Sequence, residues 1–237
     1  MEGAKGLSMI KLDNRAERAA VAAMYVLFMF GGLWHVLGLF QTAMRILAAP
    51  LIMGVAAVLF VHVLGLAEIQ SKTAFVWWAL IVTAAGWFAE FAGTRTGIPF
   101  GAYSYGRELF PHIWGVPAAI GTAWFSICMS SLIITRSIFS RTGLGTGTSV
   151  WAVPVLSGLL MVGFDAVMEM AAVRLGYWAW DAAYVPVMNY IAWFVLGTGF
   201  SALFVKMKIQ LKRPAALGVH AYVSQLAYFI IVLISNR

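Results

Sequence analysis

Charged side chains are scarce in this chain: they make up 11% of 237 residues, against about 25% in a soluble domain. So few charges cannot cover a water-facing surface, which excludes an ordinary soluble globular protein. Cysteine occurs once, as Cys128 within an apolar run. No internal disulfide can form, and the thiol reads as a small buried hydrophobe. Lysine is missing from the last apolar run, 215–235, which excludes a retinal Schiff-base protein. No two of the four histidines stand in H-x-x-x-H spacing, the helical arrangement that a metal site would use. His35 and His112 belong to one half of the bilayer, His62 and His220 to the other. Nicotinamide and flavin motifs are absent as well, so neither a cofactor nor a metal is expected.

What the chain has instead is hydrophobicity. Apolar residues make up 62%, and the mean hydropathy is +0.87. A helix crossing the hydrocarbon core needs about 20 apolar residues. Seven runs qualify: 19–40, 46–66, 73–91, 113–135, 150–173, 190–205 and 215–235, the sixth with a possible start near Ala182. Backbone polar groups in lipid must pair within the segment, and the alternation of a membrane barrel is absent. The expected fold class is therefore all-α, a polytopic membrane helical bundle of about seven transmembrane helices. Its expected organisation is an N-terminal segment, 1–18, followed by a single transmembrane domain, 19–237. The first run lacks a small-residue cleavage site and reads as an uncleaved helix.

The net charge of +7 reflects topology rather than nucleic-acid binding, because the basic residues sit in the gaps between apolar runs. Eleven of the 16 lysines and arginines fall on the N-terminal side of the bundle and five on the other. The positive-inside bias thus predicts a multi-pass protein of the cell membrane, N-terminus cytoplasmic and C-terminus outside. The Gly- and Thr-rich stretch 142–149 reads as a flexible inner loop. Two longer connections, 93–112 and 176–189, are rich in aromatics, glycine and proline and share the outer side, where such loops commonly shape a site.

Three acids interrupt the apolar runs near that side. Glu90 lies towards the end of the third run, Asp165 and Glu169 towards the end of the fifth. A carboxylate costs about 2.5–3.5 kcal/mol at the bilayer centre, so such residues turn inward. The four-residue spacing of Asp165 and Glu169 puts both on one helix face. Together with Glu90 they are candidates for a buried acid/base cluster, which His35 could join. The simpler alternative is that the acids are solvated or paired with Arg95 and Arg174. Tyr103, Tyr105, Trp178 and Trp180 flank the acids and could line the same site.

Two stretches carry a family resemblance. Glu90-Phe-Ala-Gly-Thr-Arg-Thr-Gly-Ile-Pro-Phe-Gly-Ala-Tyr-Ser-Tyr105, with Gly115-Val-Pro117 and Trp124, is one. Asp165-Ala-Val-Met-Glu169 with Gly176-Tyr-Trp-Ala-Trp180, Val185-Pro186, Asn189-Tyr190 and Trp193 is the other. Both resemble the membrane carotenoid-biosynthesis family that contains the CruF-type carotenoid hydratases and the bisanhydrobacterioruberin hydratases. One position departs: Met170 stands where the pattern often has proline, which would kink the helix end. The resemblance implies hydration of the terminal double bond of a linear carotenoid end group to a tertiary alcohol, by acid catalysis without cofactor or metal. Asp165 would be the acid, with Glu90 or Glu169 placing and deprotonating the water. Tyr103, Tyr105, Trp178 and Trp180 would stabilise the cation, and Arg95 and Asn189 would contact the substrate. Expected partners are a linear carotenoid entering sideways from the bilayer, membrane lipid, and other enzymes of carotenoid biosynthesis. Cyclisation or isomerisation of the same end group is the alternative chemistry. A non-enzymatic carrier of a lipophilic pigment would call for internal repeats, and none is found.

Overall fold

The computed structural model describes Leu12 and residues 14–142 and 150–235. Among them are seven helices, each long and apolar enough to cross a membrane: α1 (Arg15–Leu37), α2 (Gln41–Leu66), α3 (Lys72–Thr96), α4 (Ala119–Thr142), α5 (Ala152–Arg174), α6 (Val187–Lys206) and α7 (Ala216–Ile234). The protein is an all-α, multi-pass membrane bundle. The expected inner loop, beyond Thr142 at the end of α4, lies outside the described residues, as do 1–11, Asp13 and 236–237.

The element boundaries follow local chemistry. Asn14 caps α1, its side chain accepting from the Glu17 backbone N–H at 2.8 Å, an arrangement that satisfies one of the orphan donors of a first turn. The helix therefore starts before residue 19. α3 runs past residue 91 to Thr96, where Gly97 adopts φ 74°, the left-handed conformation that stops helices. The fourth helix starts six residues later than expected. Residues 112–117 instead form a tight hairpin, β2 (His112–Ile113) on β3 (Val116–Pro117), turned by Trp114 and Gly115 at φ 48° and 87°. The sixth helix does not reach back to Ala182. It begins after Pro186, whose ring suits the extended backbone of a helix cap (φ −62°, ψ 140°). With methionine at 170, α5 continues through to Arg174.

α4 is the hub of the bundle and touches α2, α3, α5, α6 and α7. α5 and α6 form the most intimate pair. At Gly158 a Cβ would stand 2.3 Å from Thr198 Oγ1, and at Gly197 one would stand 2.7 Å from Met161 Sδ. Small residues allow the backbones to approach this closely. α1 packs chiefly on α7 and little on α2.

The two aromatic connections are tied to each other. β1 (Tyr103–Tyr105) pairs antiparallel with β4 (Trp178–Trp180), Tyr103 opposite Trp180 and Tyr105 opposite Trp178. Both loops therefore close the same end of the bundle. At the opposite end Glu17 is buried and bonded to Arg213, with His62 Nδ1 3.8 Å away. This tethers the start of α1 to the connection before α7.

Candidate active site

Depth comes first. At about 1.5 Å per residue, Glu90 lies about 9 Å short of the end of α3 and Glu169 about 7.5 Å short of the end of α5. The two carboxyl groups therefore meet at one level beneath the paired loops. Asp165 sits one turn deeper. All three are buried.

Glu90 and Glu169 are held by donors from the loops, Glu90 also by one from α4, and Asp165 by one from α6. Glu90 Oε2 accepts from the Tyr103 and Tyr105 hydroxyls, the latter at 2.8 Å, and Oε1 accepts from Trp124 Nε1 at 2.9 Å. Glu90 thus receives three donors and gives none, the pattern of a carboxylate acceptor. Trp124 reaches it because residue 86, one turn earlier on α3, is glycine; a Cβ there would stand 2.5 Å from Trp124 Cγ. The indole is stacked on Trp193 with centroids 4.0 Å apart. Glu169 Oε2 accepts from Trp178 Nε1 at 2.8 Å and Trp180 Nε1 at 2.9 Å. Asp165 Oδ2 accepts from Asn189 Nδ2 at 2.7 Å. Its Oδ1 is buried without a hydrogen-bond partner, and Glu169 stands one turn further along the same face of α5.

The strand pairing explains the convergence. Side chains alternate along a strand, so Tyr103 and Tyr105 turn inward while Ser104 faces out, and Trp178 and Trp180 turn inward while Ala179 faces out. Four donors therefore hang from one ladder, two over each glutamate. Burial and the neighbouring Glu90 carboxyl push the phenols of Tyr103 and Tyr105 well above the ordinary tyrosine range. Both remain protonated donors.

Glu90 and Glu169 line a cavity that is otherwise mostly apolar, with Phe100, Ile120, Met168 and Trp193 among its walls. Tyr103, Tyr105, Trp178, Trp180 and Asn189 line it too. Asp165 does not; it stands behind the wall, bonded to Asn189. Arg95 is also apart from the site. Its guanidinium donates to the Trp114 carbonyl at 3.3 Å and lies over the Phe91 ring. Arg174 donates to the carbonyls of Leu233 and Ser235. Among the described residues, none of the three acids has an ion-pair partner, so the pairing of these acids with Arg95 and Arg174 is not found. His35 lies in a separate polar cavity near the loop end. Trp124 belongs to the site as well, although nothing in an apolar run distinguishes an indole that donates to an acid from one that merely packs.

The fold and site define a multi-pass membrane protein with an acid- and aromatic-lined chamber. The carotenoid biosynthesis protein family matches residues 46–236, a span that contains the whole chamber, and the chain belongs to that family. A bisanhydrobacterioruberin hydratase from Haloarcula japonica is 28% identical over 119 residues, covering 48% of this chain and 39% of that relative. The chain thus aligns with well under half of the length of that protein. No solved structure matches.

Proposed function

We propose that the protein hydrates the terminal double bond of a linear carotenoid, giving a tertiary alcohol. One observation carries this reading. Two buried glutamates from different helices face one apolar chamber, each fixed by aromatic N–H or O–H donors and neither neutralised by a cation. Two neighbouring carboxyl groups buried without a counter-charge retain a proton between them, whereas the three donors to Glu90 stabilise its charged form. In this reading Asp165 and Glu169, one turn apart on one face of α5, are that pair, and the proton they share gives the unpartnered Asp165 carboxyl oxygen a role.

In the proposed sequence this pair is the acid, with Glu169 the member that touches substrate and Asp165 supplying it from behind. The proton adds to the less substituted alkene carbon, leaving a tertiary carbocation. The indole and phenol faces of Trp178, Trp180, Tyr103 and Tyr105 stabilise that cation electrostatically. Water adds its oxygen to the cationic carbon and gives a proton to Glu90, the saturated acceptor. Return of that proton to the Asp165–Glu169 pair resets the site, and the net change is one alkene plus one water to one alcohol. Excluding bulk water protects the cation from side reactions.

Expressed in a lycopene-producing host and assayed in membranes with oxygen-labelled water, the protein should yield a more polar carotenoid. The product gains the mass of one water per reacted end, with the label in its hydroxyl group. Label arriving from molecular oxygen would refute hydration. A ring-closed product of unchanged mass would establish the cyclase reading instead.

A further inference from the structure

Two other cavities share walls with the acid chamber, and their characters are opposite. One, near the loop end, is polar: His35, Arg174 and the Arg45–Glu108 ion pair (3.2 Å) line it. The other lies between α1, α2 and α7 and is apolar, lined by Leu27, Trp34, Leu47 and Leu51. This groove has Ile52, Tyr177 and Phe229 in common with the chamber, so a single layer of side chains divides the two. Leu27 and Leu47 on its rim are 49% and 46% exposed, on faces that meet lipid in a membrane-spanning bundle. The groove persists because α1 rests on α7 and makes little contact with α2.

We propose that this groove is the binding tract for the apolar chain of the substrate beyond its reacting end. The proposal rests on the reading of a linear carotenoid as substrate. A molecule whose end occupies the chamber must leave the rest of its length elsewhere. Laying hydrocarbon across the polar cavity would strip water from an ion pair and an arginine without replacing their partners. Apart from Gln225, whose amide donates to the Ala221 carbonyl, the groove is lined by apolar and aromatic side chains, and ring faces such as those of Trp34 and Phe229 suit a flat conjugated chain. The substrate end then passes between Ile52, Tyr177 and Phe229. Chain length is selected along α1, a helix that lies wholly before the part of the chain matched by the family.

Gly31 is the position from which to test this. It lines the groove, and a Cβ there meets only the Tyr228 ring, at 3.6 Å. A larger side chain at this position extends into the groove rather than into backbone. The full-length protein in proteoliposomes is given lycopene and, separately, a short isoprenoid with the same isopropylidene end. Gly31→Phe should lower kcat/KM for lycopene at least about tenfold more than for the short substrate. Equal effects on both, or none, would overturn the proposal. A second measurement stands apart from the chemistry. In a Leu27→Cys variant, lycopene should slow maleimide labelling of the new thiol relative to phospholipid vesicles alone, with Cys128 buried and silent. Protection without turnover of either substrate would retain the tract and remove the hydratase reading. Equal labelling with and without lycopene would mean that lipid alone fills the groove, and the proposal would fall.

Discussion

Glu90 and Glu169 have the same side chain but different hydrogen-bond environments, and the difference predicts different responses to the same substitution. In Glu90→Gln the amide oxygen can keep Trp124, while the phenols of Tyr103 and Tyr105 rotate to accept from the new NH₂ group. The fold is preserved and the proton acceptor is lost. Glu169→Gln likewise keeps an oxygen for Trp178 and Trp180 but removes the transferable proton. Each should lower kcat by about 10²–10⁴-fold, with membrane levels of the protein unchanged on a blot. Asp165→Asn should cost less than Glu169→Gln, because Asp165 supplies the pair from behind the wall and does not touch substrate. Equal losses would restore Asp165 as the direct acid, the role first expected of it. At this scale the sequence was informative wherever charge stood out against lipid. The acids were legible because a carboxyl group in an apolar run demands a reason, although Asp165 lies one turn below the two glutamates. Arg95 was misleading because it is close in sequence to Glu90, yet it sits a full turn further along α3 and turns to Trp114. Trp124 was illegible as a site residue because its indole N–H matters only through Glu90, a partner distant in the chain.

At the level of elements, the paired strands β1 and β4 set the geometry of both glutamates. Gly106, just past β1, donates its N–H to the Tyr177 carbonyl at 2.8 Å. A Cβ at Gly106 would lie 2.0 Å from the Gly176 carbonyl oxygen, a clash between backbones that no rotamer relieves. Gly106→Ala should therefore separate the loops, spoil all four donors at once and lower activity by at least about tenfold, while the helices still insert. Faster proteolysis within residues 97–118 would report the separation. Gly54→Ala is the control, since a Cβ there meets nothing within 4 Å. The helices were readable from hydropathy because lipid enforces length and composition. The strands were not, because three-residue pairings such as Tyr103–Tyr105 with Trp178–Trp180 are made by contacts across more than 70 positions. The hairpin at 112–117 is local, yet its sequence reads as the start of a helix. Its apolar residues satisfy a hydropathy count, and only the backbone turn at Trp114 and Gly115 reveals it.

For the whole molecule, seven crossings place the chamber, both aromatic loops and the end of α7 on one face of the membrane. The basic bias predicts which face. A reporter fused after Arg237 should read outside and one inserted within 143–149 should read cytoplasmic; both on one side would remove the seven-span arrangement. The chamber's depth also has a consequence for what leaves it. Glu90 and Glu169 lie within about two helical turns of the membrane boundary, so under the proposed hydration a new hydroxyl group forms close to headgroup level. The product is thus released already anchored, its alcohol in the polar zone and its hydrocarbon trailing into the bilayer. For a symmetric carotenoid stretched across the membrane, the untouched end then points at the opposite leaflet, beyond the reach of this site. Hydrating both ends requires the molecule to invert, dragging an alcohol through about 30 Å of hydrocarbon. In a time course, the singly hydrated product should therefore accumulate before the doubly hydrated one appears. Detergent micelles, which have no second leaflet to cross, should shorten that delay.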